Sequence, residues 1–524
     1  MLERKWWTLI AVCVATFMLL LDVTIVNVAL PAIQEDLDAE FSDLQWVIDA
    51  YALMLAALLL TAGALADLLG RRRVFVLGLA LFTAASLLCA LAGTPLVLNL
   101  SRGLQGVGAA MMFATSLALL AQEFQGPERG AAFGAWGATT GGAVAIGPLI
   151  GGALTEHLGW ESIFLLNLPI GVAAIVLTLT KVSESRDPRG GRVDWVGLLT
   201  FSGALFLLVF SLIRGNDAGW GSTRIVAQLV LAAVLLVVFV AVERRQERPM
   251  LELSLFRKPT FTGAAIAAFA LSASMFAMFL YITLYVQNVL GYEPLETGLR
   301  FLPITLLSFF VAPIAGKLSA RLPVRAFLGG GLIAVGVGLL LMRGIEPQSD
   351  WTTLLVGFVI GGVGIGLINP PLASAAIGVV EPARSGMASG INSTFRQVGI
   401  ATGIAGLGAI FQSRVEAGVA ERLAGTPLAG RTDELSEAVA TAGAGGVIES
   451  APAGARDVLA EAARAGFVDG LNEIFLVAAI IALVGGVLAF LLVRGKDFVV
   501  QGAGEPHGEE PEAVAGRAAA AAPA

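Results

Sequence analysis

Charged residues are scarce in this chain of 524 residues. Only 14% are Asp, Glu, Lys or Arg, whereas 56% are hydrophobic, and the mean hydropathy is +0.82. Soluble domains are nearer a quarter charged, so the composition excludes an ordinary soluble protein and indicates a polytopic membrane protein. The net charge of −7 says little about partners, because most charges lie between the apolar runs and in an acidic tail.

Cysteine and histidine are also rare, with two of each. Cys13 and Cys89 fall in apolar runs, which argues against a disulfide framework, and His157 and His507 lack neighbours at metal-ligand spacing. No GxxxxGK[ST] phosphate loop occurs, so nothing indicates ATP hydrolysis. The sequence therefore predicts neither a metal site nor a cofactor.

Long apolar runs dominate instead. The first one, from Trp6 to Ala29, is too long for the apolar region of a signal peptide and lacks a convincing cleavage site, so we expect it to remain as a helix. Runs of about 17–25 apolar residues are long enough to cross a bilayer. They predict fourteen membrane helices, at 6–29, 46–66, 74–92, 96–120, 131–154, 162–180, 195–213, 225–242, 261–288, 297–316, 324–342, 352–376, 387–411 and 471–493.

Basic residues predict the orientation. With both termini in the cytoplasm, the inner segments and adjoining helix ends hold 21 Lys and Arg, whereas the short outer loops hold three. Lys and Arg concentrate on the cytoplasmic side of membrane proteins. The Ala- and Gly-rich segment 412–469 is then an external loop, in which "ARDVLAEAARAGFVDGL" can form an amphipathic helix. The tail 499–524 is predicted to be a disordered cytoplasmic segment.

Two weak internal echoes indicate a duplication. "GALADLLGRRRVFVLG" from Gly63 is echoed by "GKLSARLPVRAFLGGG" from Gly316, an offset of 253, and "GVGAAMM" with "GPERGAA" recurs at 255–256 as "GVGIGLI" with "EPARSGM". Helices two to five then match helices ten to thirteen. The predicted fold is all-α: six-helix bundles at 1–194 and 260–498, separated at 195–259 by two extra helices and a linker. Duplicated halves around a midplane site are a transporter architecture.

Six sequence motifs lie in or beside the predicted helices: "LDVTIVNVALPAI", "GALADLLGRRR", "LSRGLQGVGAA", "GPLIGG", "WESIFLLNLPIG" and "MASGINSTFRQVGIATG". Together they resemble the major facilitator superfamily, specifically its fourteen-helix branch of drug:proton antiporters. The resemblance implies alternating access between two bundles, export of lipophilic drugs, antiseptics, dyes or antibiotics, and a monomer in the bacterial plasma membrane. The chain departs at Glu161, where many relatives have a basic residue, and at Ala320, where the first copy of the repeat has Asp67.

Asp22 lies in the middle of the first predicted helix, where a carboxylate costs about 2.5–3.5 kcal/mol on insertion scales. The helical rise puts Asp22 about 8 Å and Arg102, in helix four, about 9 Å below the same membrane surface. The two can therefore meet if helices one and four are neighbours, as the resemblance implies. The functional interpretation is a proton-coupling pair; the alternative is a static ion pair that holds two helices together.

Other polar residues within the predicted helices are candidates for the substrate cavity. Arg396 lies near the midplane without an acid placed to neutralise it, and either contacts substrate or bonds backbone carbonyls. Asp49 either attracts cations at the outer mouth or is a solvated helix-end acid. Gln105 lies three residues from Arg102 and can hold its guanidinium. The remaining candidates are Asn27, Tyr281 and Gln397.

Two motifs predict contacts between helices. The turn "GALADLLGRRR" is interpreted as a cytoplasmic latch that stabilises one access state, with an orientation anchor as the alternative; its residues are Gly63, Asp67, Gly70, Arg71, Arg72 and Arg73. "GPLIGG" places Pro148 within helix five, which bends a helix, and places small residues at Gly147, Gly151 and Gly152. The family associates this pattern with antiporters, and a packing seam explains it equally well.

The sequence thus predicts a proton-coupled exporter. Within transport, the alternative is a dedicated exporter or symporter of an endogenous metabolite or lipid. An intramembrane enzyme would need clustered acids, or His or Ser beside a base, and the sequence offers no such group. A sensor or scaffold would call for a folded soluble domain, which the sequence does not predict. The partners are a small-molecule substrate, protons and the lipid bilayer, with no nucleic acid.

Overall fold

The computed structural model describes residues 3–39, 41–186, 193–246, 249–319, 321–440 and 444–498. All regular secondary structure in these ranges is helical. One helix covers each predicted segment, in order: α1 Arg4–Leu37, α2 Phe41–Leu69, α3 Arg71–Ala90, α4 Pro95–Glu123, α5 Gly126–Leu158, α6 Glu161–Lys181, α7 Trp195–Ala218, α8 Thr223–Glu243, α9 Pro259–Val289, α10 in two pieces, Pro294–Arg300 and Leu302–Leu318, α11 Val324–Met342, α12 Leu355–Gly378, α13 Ser385–Leu423 and α14 Ala453–Leu492.

Twelve of these helices are long and apolar enough to cross a membrane by length and composition. The other two are α5, with 33 residues, and α10, whose second piece is a shorter apolar helix. The predicted segment 261–288 is one helix with π-helical turns at Ser272–Phe276 and Tyr285–Val289. The tail 499–524 lies outside the described residues.

The prediction that 412–469 is a loop is wrong for much of its length, although the helix predicted within it for "ARDVLAEAARAGFVDGL" is present. Helix α13 continues to Leu423 and α14 already begins at Ala453, with short helices at Thr432–Ala440 and Ala444–Glu449 between them. Val415 and Val419 are fully buried with Phe467 in one apolar cluster, so the two extensions pack as a hairpin beyond the apolar span. Hydropathy misses them because such helices carry charged residues on their solvated faces.

The helices form two six-helix bundles. In the first, α4 packs on α2 and α3, while α1 packs on α5; in the second, α11 packs on α12 and α14, and α10 packs on α12. Helix α4 is the most buried span, at 83% of its apolar window, whereas α8 is buried over only 17%. The inserted pair therefore lies at the periphery, where α7 also contacts α2 and α13.

The two bundles meet along a seam formed by α2 with α13 and by α5 with α10. Glycine permits the closest approaches: a Cβ atom on Gly63 would collide with the Gly386 carbonyl oxygen, and one on Gly130 with that of Gly316. Both crossings lie at one end of the molecule, where the turns at 69–71, 318–324 and 378–385 are. We call this the basic end, because Arg71–Arg73 and Lys317 lie there. The bundles are in backbone contact at the basic end.

Candidate functional site

Asp22 is the centre of a buried polar network. Its side chain lies inside the first bundle, with the residue 1% exposed. Arg102 of α4 donates to Oδ2 at 2.5 Å, while Gln105 of α4 and Asn167 of α6 each donate to Oδ1 at 2.8 Å. Three donors thus satisfy a carboxylate that could not otherwise be buried in an apolar bundle.

Arg102 is held from several sides. Its Nε donates to the Val47 carbonyl oxygen of α2 at 2.9 Å, and its NH1 also donates to the Gln105 side chain. The guanidinium carbon lies 4.4 Å from the ring centroid of Tyr51, within range of a cation–π interaction. These contacts fix the cation beside Asp22 in α4, where 83% of the apolar window is buried.

Helix α3 supplies a second layer around the pair. The Ser86 hydroxyl accepts from Gln105 at 2.9 Å and from Asn167 at 3.3 Å, and donates to the Phe82 carbonyl oxygen. The network therefore joins α1, α2, α3, α4 and α6. The sequence analysis did not identify Ser86, Tyr51 or Asn167 as members of this network; the place of Asn167 within the motif "WESIFLLNLPIG" was the available signal.

The chemistry of this arrangement follows from charge balance. Ionised Asp22 and Arg102 neutralise each other where neither side chain is more than 2% exposed. Protonation of Asp22 would leave the guanidinium buried without its counter-charge, which is costly in a low-dielectric interior. Proton uptake at Asp22 must therefore be accompanied by a rearrangement that solvates Arg102 or gives it another partner.

The predicted cavity residues are not brought together. Gln105 is 0% exposed and belongs to the Asp22 network rather than to a cavity wall. The Tyr281 hydroxyl donates to the Ile404 carbonyl oxygen at 2.7 Å, so it ties α9 to α13. Asn27 is exposed, whereas Asp49 and Gln397 are half-buried.

Arg396 lies on a buried polar face of α13. The residue is 8% exposed, and its NH2 donates to Oδ1 of Asn369 in α12 at 2.6 Å. The acceptor is thus a side-chain amide rather than the backbone carbonyl considered above. Asn369 lies at the seam, since a Cβ added to Gly137 of α5 would be 3.7 Å from the Cβ of Asn369.

The same face of α13 carries further polar atoms that have no partner in the described structure. They are the Arg396 Nε and side-chain oxygens of Ser389, Asn392 and Ser393. Positions 389, 392, 393 and 396 follow the spacing of one helix face. We call these four residues the polar stripe. Buried polar atoms without partners are rare in proteins, so this face is suited to bind a ligand or water.

The latch residues form two separate clusters. Asp67 accepts from Arg71 Nε at 2.9 Å and from the backbone N–H groups of Gly386 and Met387 at 3.0 and 2.8 Å. Those two residues are in the first turn of α13, where a helix favours negative charge. Arg71 NH2 donates across the seam to the Ala383 carbonyl oxygen at 2.9 Å. Asp67 and Arg71 therefore connect the two bundles at the basic end.

Within the arginine cluster, Arg71 pairs with Asp67, whereas Arg72 and Arg73 have a different partner. Their backbone N–H groups donate to the Glu184 carboxylate at 3.1 and 3.2 Å. Glu184 follows α6, so this contact stays within the first bundle. Gly70 precedes α3 with φ of 113°, a conformation that a Cβ disfavours.

The helix-five motif packs on α1 beside Asp22. A Cβ on Gly147 would collide with Thr24, and one on Gly151 would come within 2.7 Å of Ile25. A Cβ on Gly152 would have no atom within 4 Å, so the predicted close packing at that position is wrong. The backbone is helical through Pro148, whose side chain lies outside the described part of the structure.

Known proteins match this chain over most of its length. The Major Facilitator Superfamily model matches residues 12–404. Multidrug resistance protein Stp of Mycobacterium tuberculosis is 39% identical over 411 residues, which cover 78% of this chain and 76% of that protein. The tetracenomycin C resistance and export protein of Streptomyces glaucescens is 32% identical over 497 residues, 94% of this chain and 92% of that protein.

Among solved structures, the human organic anion transporter MFSD10 matches with a TM-score of 0.60 and 16% identity, covering 92% of this chain and 100% of that one. At this identity the match supports the fold alone. Together with the family match and the similarity to named resistance and export proteins, it agrees with the two six-helix bundles described above. The chain belongs to the Major Facilitator Superfamily and is a multi-pass membrane transporter rather than an enzyme.

Proposed function

We propose that the protein is a proton-coupled exporter of lipophilic small molecules such as drugs, antiseptics, dyes or antibiotics. The resistance and export functions in its relatives' names support export. The distribution of Lys and Arg supports a bacterial plasma-membrane orientation with both termini and the basic end in the cytoplasm. It works as a monomer, with bundles 1–194 and 260–498 moving about a central site.

The proposal of proton coupling rests on one observation, the buried carboxylate of Asp22 beside Arg102. A proton taken up at its carboxylate from outside removes the counter-charge of Arg102, so the network must rearrange before the protein is stable again. Release of that proton to the cytoplasm restores the pair and completes the cycle. Because Gly147 and Gly151 of α5 contact α1 beside this network, a movement of α1 would also move α5, which forms part of the seam.

Asp67 and Arg71 act as the cytoplasmic latch, because their bonds cross the seam only when the basic end is closed. In the proposed orientation, the closed basic end corresponds to a state in which the cytoplasmic side is shut. Gly63 permits this closure through its contact with Gly386. Substrate contacts are assigned to Arg396 and its polar stripe, with Gln397 beside Arg396 and with Asn27 and Asp49 as further candidates.

Reconstituted liposomes test the proposal. With an imposed proton gradient, addition of a transported compound should produce a change in lumenal pH that empty liposomes do not give. Dye export that continues unchanged after an uncoupler collapses the gradient would contradict proton coupling. A drug-susceptibility panel in a pump-deleted bacterial host would identify the compounds to use.

A dedicated exporter of one antibiotic is the second candidate. It is favoured by relatives whose names specify tetracenomycin C, puromycin or actinorhodin. The same panel separates the two, since a dedicated exporter should protect the host against one chemical class only.

Replacing Gly130 by Ala should prevent closure of the basic end, because the new Cβ would collide with the Gly316 backbone. We expect efflux to fall about tenfold or more, since overpacking a tight contact costs about 1–3 kcal/mol. The matched control is Gly152→Ala on the same helix, where a Cβ meets open space. Equal efflux by the two variants would show that the Gly130–Gly316 crossing does not limit transport.

Replacing Arg396 by Gln should raise KM about tenfold for substrates that carry an anionic or carbonyl acceptor, since a hydrogen bond to a charged group contributes about 1.5–3 kcal/mol. Substrates without such a group should keep their KM, and proton coupling should persist. Transport assays with paired compounds measure this, with the exposed Arg343→Gln as control. A uniform loss for all substrates would instead assign Arg396 to the packing of α12 on α13.

A further inference from the structure

A cavity of about 660 Å³ lies at the basic end of the second bundle, away from the seam. It is bounded by the α10–α11 turn, by α12 and by the segment that follows α14. Its lining includes three basic residues, Arg325, Arg494 and Lys496, and two serines, Ser319 and Ser374. None of its lining residues is acidic.

The three cations have no ion pair with any residue that the structure describes. Asp497 is next to Lys496 in sequence but is turned toward α9. There its Oδ2 accepts from the Thr260 hydroxyl at 2.8 Å and from the Thr260 backbone N–H at 3.2 Å. The cavity therefore concentrates positive charge that the described protein does not neutralise.

The first bundle contains an anion at the equivalent position. The repeat offset of 253 matches Arg72 with Arg325, the second residue of α3 and of α11. In the first bundle the Glu184 carboxylate accepts the Arg72 backbone N–H at 3.1 Å, and its Oε2 lies 3.9 Å from the Arg72 Nε. A built-in carboxylate thus fills this position beside α3.

The second bundle lacks that carboxylate. Val182 and Val493 are the C-cap residues of the sixth helix in each bundle, α6 and α14. Glu184 lies two residues after Val182, and Gly495 lies two residues after Val493. Basic residues flank Gly495 on both sides. The duplicated architecture therefore places an anion beside this helix start in one half and leaves a basic cavity in the other.

The cavity adjoins an apolar outer surface. The Arg325 guanidinium lies 5.3 Å from the ring centroid of Phe490, which is 45% exposed, and the neighbouring Leu491 is 63% exposed. These residues lie on the last turns of α14, at the edge of a membrane span. A ligand with an anionic head and apolar chains would contact both the basic cavity and the apolar surface, whereas a small free anion would contact only the cavity.

We propose that this cavity binds the phosphate headgroup of an anionic phospholipid from the leaflet at the basic end, with the acyl chains lying along Phe490 and Leu491. Basic pockets between membrane helices bind anionic headgroups by this combination of charge and lateral access. The lipid phosphate supplies to α11 of the second bundle the negative charge that Glu184 supplies to α3 of the first. The site is separate from the Asp22 network and does not depend on which compound is exported.

Native mass spectrometry of the full chain, titrated with phosphatidylglycerol or phosphatidylcholine, tests this. The wild type should retain phosphatidylglycerol preferentially. The triple variant Arg325→Gln, Arg494→Gln, Lys496→Gln should bind it on the order of a hundredfold more weakly, at roughly fivefold per basic residue near an anionic lipid. The matched control is Lys317→Gln with Arg321→Gln, which removes exposed charges of the same turn that do not line the cavity. An equal loss in the control would overturn the proposal.

Gly495→Glu tests the comparison between the bundles directly. A Cβ at Gly495 meets no atom within 4 Å, so the substitution restores the acid of the first bundle without a clash. It should displace phosphatidylglycerol as fully as the triple variant does, and undiminished lipid retention would contradict the assignment. Displacement of the lipid by equimolar glycerol 3-phosphate would assign the site to a free phosphate instead. Lipid binding that appears only after deletion of 499–524 would make the acidic tail the occupant.

Discussion

Replacing Asp22 by Asn is expected to abolish proton-driven efflux while leaving the protein folded in the membrane. The amide keeps the shape of the side chain and can still accept a bond from Arg102, but it cannot bind and release a proton. Efflux in everted vesicles should fall to the level of empty vesicles. Loss of the buried counter-charge should also lower stability by about 3–5 kcal/mol, which thermal unfolding in detergent would detect.

Two further variants separate coupling from packing. Asp22→Asn combined with Arg102→Gln removes both charges, so it should recover much of the stability and still fail to transport. Recovery of efflux in this double variant would show that the pair is only a static link between α1 and α4. Asp38→Asn makes the same substitution at the exposed end of α1, where φ of 47° suits Asn as well as Asp, and should leave efflux unchanged.

Replacing Asp67 by Asn is expected to open the basic end. The carboxylate accepts from Arg71 and from two backbone N–H groups of α13, and breaking a buried pair of this kind costs about 3–5 kcal/mol. A penalty of that size moves an equilibrium between two states by more than about a hundredfold. Spin labels at the exposed positions Gln125 and Lys317, on opposite sides of the seam, should report a longer distance, and efflux should fall in parallel.

Glu184→Gln is the matched control for the latch, because it makes the same type of change at the same end. Its contacts with Arg72 and Arg73 stay within the first bundle, so the distance across the seam should not change. An unaltered distance distribution in Asp67→Asn would refute the latch, and an equal lengthening in both variants would point to general loosening of the basic end.

The order of the helices and the matched depths of Asp22 and Arg102 could be predicted from the sequence for the same reason, whereas their contact also requires α1 and α4 to be neighbours, which the family resemblance implied. A bilayer fixes the length of each span, so the position of a residue along its helix gives its depth, and two opposite charges at one depth can meet. The participation of Asn167 and Ser86 could not be predicted in this way. It depends on the rotation of α6 and α3 about their own axes. Depth does not determine this rotation, and predicting it requires knowing which helices are neighbours.

Features outside the apolar spans were harder to predict. Glu184 lies after α6, and nothing in its local sequence indicates that it accepts bonds from Arg72 and Arg73, more than a hundred residues away. The extension of α13 to Leu423 was missed because a helix in water is amphipathic rather than uniformly apolar. The motif groups Gly152 with Gly147 and Gly151, but only Gly147 and Gly151 lie on the face that contacts α1.

Helix α13 is an unbroken rod of 39 residues, about 58 Å long at the usual rise. Met387 at one end contacts the latch, Arg396 lies about a third of the way along, and near the other end Arg422 is paired with Asp469 of α14 at 2.9 Å. Any tilt of α13 that opens the basic end must therefore also move the hairpin at its other end. In the proposed orientation this hairpin faces the outside, so an antibody fragment bound to it from outside the cell should stall export.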